Sequence, residues 1–229
     1  MNADTRTALL DAALGLFAEQ GVEQPSMREI TRAAGQRNTN ALQYHYGDRE
    51  GLLRDLLDRH GAAVDQCRDA LLDDVLGESE PTLRELATAL AEPLAALLKP
   101  AGGGREYLQL TAELLARPMH FSSVLELVTA RPSLVRWGGL VEPFLPAEAV
   151  GRPLHRRFTA IRFVHSELGS RVKERGSRAY HRLFTSHLID VVCGLLTAPV
   201  SPETAALIDE GRPRAVRSSA RSRATSGAR

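Results

Sequence analysis

The 229-residue sequence is poor in cysteine, aromatics and lysine. Its two cysteines, Cys67 and Cys193, stand far apart and have neither C-x-x-C nor Cys/His spacing. That excludes a disulfide framework or a thiolate metal site and fits two buried thiols in a reducing cytoplasm. No apolar stretch reaches membrane-spanning length. The N-terminus, MNADTRTALL, lacks the charged-then-apolar layout of a signal peptide. A cytoplasmic protein with no membrane partner is therefore expected. Also missing are G-x-S-x-G, the P-loop, the dinucleotide glycine pattern and any E-x-x-H pair. The expectation is a non-enzyme without cofactor or metal. Glu113 and His120 lie seven residues apart with Pro118 between them, and a plain structural role outweighs a shared metal. His155, His165, His181 and His187 lack ligand spacing as well.

Charge gives no direct pointer to a partner. The formal net charge is +1, and Lys99 and Lys173 are the only lysines. Residues 1–50 hold five Arg against seven Asp and Glu. A role on nucleic acid must therefore rest on where positive groups sit, not on bulk charge. There is no strand-like alternation and no internal repeat. Helical periodicity runs almost throughout, so the fold class is all-α.

The most informative stretch is Ser26 to Tyr46, SMREITRAAGQRNTNALQYHY. Ser26 and Glu29 have capping-box spacing, so a helix starts at Met27. Ile30 and Ala33/Ala34 share its inner face. Gly35 can take the left-handed conformation that ends it. Gln36 and Arg37 form a polar turn, and Asn38 is a good N-cap for a second helix from Thr39 to about Tyr46. Ala41, Leu42 and Tyr46 face inward, which leaves Thr39, Asn40, Gln43 and Tyr44 outward. A short helix with a polar outer face, after a tight turn, suits the DNA major groove. Upstream, a helix capped at Asp4 or Thr5 runs to Gln20, and its Leu10, Leu14 and Phe17 cover this motif.

The run AAG-QRN-TNALQYHYGDREGLL resembles the DNA-binding domain of TetR/AcrR-type transcriptional regulators, over about residues 5 to 57. The turn here is one residue longer than the commonest version. Gln43 stands where many relatives have Tyr. The resemblance implies a homodimeric DNA-binding regulator whose C-terminal domain senses a small molecule. It also implies that Arg49, the basic residue after the Asp48 cap, meets the DNA backbone.

Candidate contacts follow from residue type. Arg37, Tyr44, His45 and Arg49 are candidates for phosphate, although His45 can equally pack under the turn. Thr39, Asn40 and Gln43 are candidates for base edges: Gln and Asn can pair bidentately with adenine, and a Thr methyl can touch a thymine methyl. Arg28 and Arg32 lie one turn apart on the preceding helix and either touch phosphate or pair with an acid such as Glu29. Ser26 and Asn38, at the two helix starts, are counted with the DNA-binding set.

The remaining chain divides into residues 49–200, a helical ligand-binding and dimerisation domain, and 201–229, a disordered basic tail; residues 1–48 are the DNA-binding domain. A long helix opens the second domain. Its stripe is Leu52, Leu53, Leu56, Leu57, His60, Val64, Cys67, Leu71, Leu72 and Val75, with Gly61 as the expected point of bending. Further helices are read at Thr82–Leu98, where Pro93 is a candidate kink, and at 105–116, 122–130 and 132–140. Candidate ligand-binding residues are Leu90, Leu94, Tyr107, Thr111, Leu114, His120, Phe121 and Trp137. Two last helices, Leu154–Val172 and Ser177–Leu196, supply a candidate dimer interface: Phe158, Ile161, His165, Tyr180, Phe184, His187, Leu188 and Val191. The tail from Gly211 has six Arg and no acid. The leading reading is a dimeric repressor released from a palindromic operator in double-stranded DNA by a small-molecule effector. The alternatives are a helical-bundle small-molecule carrier, or a DNA-binding module without an effector.

Overall fold

Capping signals and glycines set the ends of the helices that matter most for the N-terminal motif. The computed structural model describes residues 2–38, 41–78, 80–99, 102–117, 122–174 and 178–211. Among them run α1 (Asn2–Gln20), α2 (Met27–Ala33), α3 (Ala41–Tyr46), α4 (Arg49–Glu78), α5 (Leu83–Ala95) and α6 (Gly104–Ala116). Next come α7 (Ser122–Thr129), α8 (Pro132–Val141), α9 (Arg156–Arg171), α10 (Arg178–Thr197) and α11 (Pro202–Gly211). No strand occurs among the described residues.

The capping box at Ser26 is formed in both directions. The Glu29 amide donates to Ser26 Oγ at 3.2 Å, and the Ser26 amide donates to Glu29 Oε2 at 2.7 Å. At the other end of α2, Gly35 has φ +69°, the Gln36 amide donates to the Thr31 carbonyl, and the Gly35 amide donates to Arg32. This is the Schellman arrangement, which satisfies carbonyls the helix leaves open. Thr82 and Glu85 form a second capping box before α5. At α4, Asp48 Oδ1 accepts from the Gly51 amide at 2.8 Å. Gly51 has a second duty, because a Cβ there would overlap the carbonyl oxygen of Tyr46.

The buried side chains form one contiguous cluster, from Leu9 on α1 to Leu196 on α10. α9 and α6 approach closely because Gly169 leaves no Cβ against Ala112 and the Leu108 carbonyl. Trp137 is fully buried, and its indole N–H donates to the Leu86 carbonyl at 2.8 Å.

Arg68 is the largest departure from a plain apolar core. It is 1 % exposed, on the inner stripe of α4. Pro93 lies inside α5 and has no N–H, so the carbonyl of Ala89, four residues back, loses its helical donor. Arg68 Nε donates to that carbonyl at 3.2 Å, and Nη1 donates to Ser133 Oγ at 2.9 Å. The Ser133 hydroxyl and amide both donate to Asp65 Oδ1, the amide at 3.2 Å, so Asp65 of α4 caps the start of α8. Burial pulls the Arg68 pKa down to about 10, which still leaves it charged at neutral pH.

Four expectations need correction. Cys67 is exposed and Arg68 takes the inward position, because His60, Val64, Arg68 and Leu72 continue the buried stripe at four-residue steps. Cys193 is only half-buried. α4 runs unbroken through Gly61, whose missing Cβ makes room for the Arg131 guanidinium; that group donates to the Leu57 carbonyl at 2.7 Å. Residues Pro202–Gly211 form α11, so the first part of the segment assigned to a disordered tail is helical. Residues 212–229 lie outside the described residues.

Two outcomes are expected for stability. Gly51→Ala forces a Cβ into the Tyr46 carbonyl and should cost on the order of 2–4 kcal/mol, whereas Gly77→Ala, in α4 with open space around it, should stabilise by about 0.5–1 kcal/mol. Urea unfolding of both variants checks this.

The second outcome concerns His165. It is buried, and its Nδ1 lies 2.8 Å from Thr111 Oγ1, while that hydroxyl donates to the Tyr107 carbonyl at 3.0 Å. The hydroxyl is thus the acceptor and Nδ1 carries the proton. Burial, with the nearby Arg68 charge, pushes the His165 pKa down to about 3 from the ordinary 6.5. The unfolded ring takes a proton as pH falls through 6.5 and the folded ring does not, so stability should fall from there toward pH 3. His165→Asn should reduce the slope between pH 7 and 5 by up to about 1.4 kcal/mol per pH unit. An unchanged slope in urea titrations would contradict it.

Candidate DNA-binding surface and ligand site

The outward face of α3 is built by burying the other one. Leu42 and Tyr46 are buried, and the Tyr46 hydroxyl donates to the Arg6 carbonyl at 2.8 Å, which ties the end of α3 to α1. Gln43 is exposed and Tyr44 is 79 % exposed, so this large ring has no cover from the chain itself. The His45 ring is half-buried and sits edge-on to Tyr44 at 5.2 Å. Arg28, Arg32, Arg37 and Asn38 are exposed, and Arg28 and Arg37 form no ion pair among the described residues. Arg32 lies near Glu29 and helps to lower that carboxyl's pKa, behind the Ser26 hydrogen bonds. Ser26 is exposed, with its hydroxyl engaged as the α2 cap. Thr39 and Asn40 lie outside the described residues.

Arg49 does something the sequence did not announce. Its guanidinium turns back onto the α1–α2 loop, donating to the carbonyls of Val22 and Pro25, and lies 5.7 Å from the Phe17 ring centroid. The same loop is gripped from α6. The Val22 amide donates to both carboxylate oxygens of Glu113 at 3.2 Å, and Arg117 pairs with Glu23 at 3.4 Å. Glu113, weighed above for a metal with His120, is thus engaged by backbone of the N-terminal helices. Gly21, with φ +89°, also suits this close approach, because a Cβ there would lie 3.2 Å from that carboxylate. A long-range side-chain-to-backbone pairing of this kind leaves no local pattern to read.

The ligand-site candidates are brought together, but as packed interior. Leu90 and Leu94 of α5, Tyr107, Thr111 and Leu114 of α6, and Trp137 of α8 are all buried in the one core. Burial pushes the Tyr107 phenol up to about 12, so it stays protonated. Beside it, the His60 ring lies at 5.2 Å, with its Nε2 buried and without a hydrogen-bond partner among the described residues. His120 and Phe121 lie outside the described residues. Arg68 and Ser133, which were not among the candidates, and His165, a dimer-interface candidate, belong to the same polar interior.

The α9–α10 pair differs from its expected face. Ile161, His165 and Leu188 are buried within the chain itself. Phe158, Phe184 and Val191 are half-buried, and His187 is exposed. Leu183, not among the candidates, is 68 % exposed. α10 is apolar on two sides: Leu188, Val192 and Leu196 turn inward, while Leu183, His187 and Val191 follow each other at four-residue steps on the outside. The Tyr180 side chain lies outside the described residues.

A family model described as "Bacterial regulatory proteins, tetR family" matches residues 9–56. No curated protein matches the chain. Several solved structures share its fold. One is a TetR-family transcriptional regulator from Rhodococcus sp., 19% identical, with a TM-score of 0.51 over 83% of this chain and 99% of that one. Another is from Shewanella sp. PV-4, at 22% identity, a TM-score of 0.53, and 81% and 95% of the two chains. A third is NalD of Pseudomonas aeruginosa, the secondary repressor of the MexAB-OprM multidrug efflux pump, at 20% identity, a TM-score of 0.52, and 87% and 100% of the two chains.

The surface predicts a split between two kinds of arginine. Arg28→Ala and Arg37→Ala should leave thermal stability unchanged and weaken binding to every duplex alike, each lowering the salt slope by about one unit. Arg49→Ala should lower the melting temperature as well, because it strips two loop carbonyls of their donor. Melting curves and duplex binding at several salt concentrations separate the two. Gln43→Ala should change preference between duplex sequences; equal loss for all of them would make it a backbone contact.

Proposed function

We propose that the chain, whose residues 9–56 match the tetR family of bacterial regulatory proteins, is a dimeric transcriptional repressor released from its operator by a small molecule. The observation that carries this reading is the exposed Gln43–Tyr44 face of α3, mounted on a loop that α4 and α6 hold together. Two such heads related by a two-fold axis read a palindromic site, with α3 of each in successive major grooves about 34–36 Å apart or somewhat more. The outer stripe of α10, Leu183, His187 and Val191, with Phe158 and Phe184 beside it, supplies the self-complementary face.

Release follows from the same mounting. α6 carries Tyr107, Thr111 and Leu114 on its buried side and Glu113 at the loop. An effector seated among the buried residues of α5, α6 and α8 displaces α6, and Glu113 passes the displacement to Val22. Each head then turns without unfolding, and the spacing between heads no longer fits one turn of DNA. A roughly 10²-fold release corresponds to about 2.7 kcal/mol of coupling, and operator DNA must weaken effector binding by the same factor.

A shift assay on the promoter region beside the protein's own gene, with and without metabolite pools, tests the reading. Retarded DNA that is freed by a small-molecule fraction supports it. Leu183→Asp should give monomers by sedimentation and lose palindrome binding with an unchanged fold. A wild-type protein that is monomeric at micromolar concentration, or that binds no DNA from that region, contradicts it.

A further inference from the structure

A cleft of about 860 Å³ lies between α5 and α10, open to solvent on one side. Its volume falls in the range of about 300–1,000 Å³ usual for small-molecule sites. It is on the opposite side of α5 from Leu90 and Leu94, and none of the ligand-site candidates above lines it. The floor is apolar, made by Ala95, Ala96, Leu98 and Ile189.

The rim has a sign. Arg84, Lys99 and Arg182 line it, against Glu92 as the acid among the lining residues. Arg84 is already neutralised, since it pairs with Asp190 and donates to Ser186 Oγ at 3.2 Å. Lys99 and Arg182 are exposed and form no ion pair among the described residues. His181 lines the same wall, and its Nδ1 is buried without a hydrogen-bond partner among the described residues, a polar atom that an added group can satisfy. An apolar floor beneath a rim of net positive charge selects one kind of molecule: an organic anion with an apolar body. A cation of the same shape meets repulsion at the rim, and a small inorganic anion leaves the floor wet.

We infer that the α5–α10 cleft is a binding site for an amphipathic organic anion, such as a medium-chain carboxylate. Its carboxylate meets Lys99, Arg182 and His181, and its chain covers Ala96 and Ile189. The site is separate from the buried effector position proposed above and does not depend on DNA release.

The test uses the full-length protein without DNA and decanoate as the probe. Calorimetry should show saturable binding at one site per chain. Lys99→Glu and Arg182→Glu should each weaken it roughly tenfold, the size of one charge-assisted hydrogen bond. Ala96→Trp should abolish it by filling the cleft, and decyltrimethylammonium, with an equal tail and opposite charge, should not bind. All three variants change exposed residues, and melting curves equal to wild type confirm that they fold. Undiminished decanoate binding in these variants, or equal binding of the cation, overturns the site. So does a wild-type protein that ignores decanoate while the same variants change its sedimentation, because a second copy of the chain then occupies the cleft.

Discussion

The backbone of Val22 is the point on which the two halves of this protein meet. Its side chain is fully buried, so its amide and carbonyl cannot look to water. The amide finds Glu113 of α6, and the carbonyl finds Arg49 of α4. A buried peptide group left without partners costs about 1–3 kcal/mol, and here both of its partners are charged. The α1–α2 loop is thereby clasped between two helices that also build the C-terminal core. Packing agrees with the hydrogen bonds, since Gly103, just before α6, leaves only 3.0 Å between a hypothetical Cβ and Leu14 of α1. The N-terminal helices are mounted on the rest rather than tethered to it.

A rigid mounting changes how a signal can travel. α4 passes through Gly61 without a break, and Arg131 lies across it there, so a soft joint in this helix has no support. The proposed release instead moves α6, whose Glu113 carboxylate holds the Val22 amide. Arg68 joins α4 to α5 and α8 through the Ala89 carbonyl and Ser133, and His165 joins α9 to α6 through Thr111. Each of these bonds links different helices, so a shift in one helix is shared by its neighbours.

The parts legible in the sequence were those with local causes. The Ser26–Glu29 box, Gly35, Asp48 and the inward Leu42 and Tyr46 act within a few residues, and the helix-turn-helix was readable from them. The all-α class and most helix boundaries followed from periodicity and from Pro and Gly. What escaped depends on distant partners. Arg49 was read for phosphate contact alone, because its neighbours in sequence do not reveal the Val22 and Pro25 carbonyls that its guanidinium reaches. Arg68 was passed over for Cys67 because a buried arginine is costly without partners, and its partner exists only because Pro93 frees a carbonyl far along the chain. Gly61 read as flexibility when it is space for Arg131. Leu188 was counted toward the candidate interface because its burial against the chain's own α9 and α5 leaves no mark in the local sequence.

Trp137 is the only tryptophan and sits fully inside the C-terminal core, so its fluorescence reports that core alone. Urea unfolding followed by this signal, and in parallel by pulsed hydrogen exchange of peptides from α1 to α3, compares core and head directly. In the wild-type protein the two transitions should coincide, as expected of one cooperative body. In Glu113→Ala the head should open at lower urea while the Trp137 transition holds its place. Transitions that still coincide in Glu113→Ala, or that are already separate in the wild type, would contradict the claim that the Val22 clasp joins them.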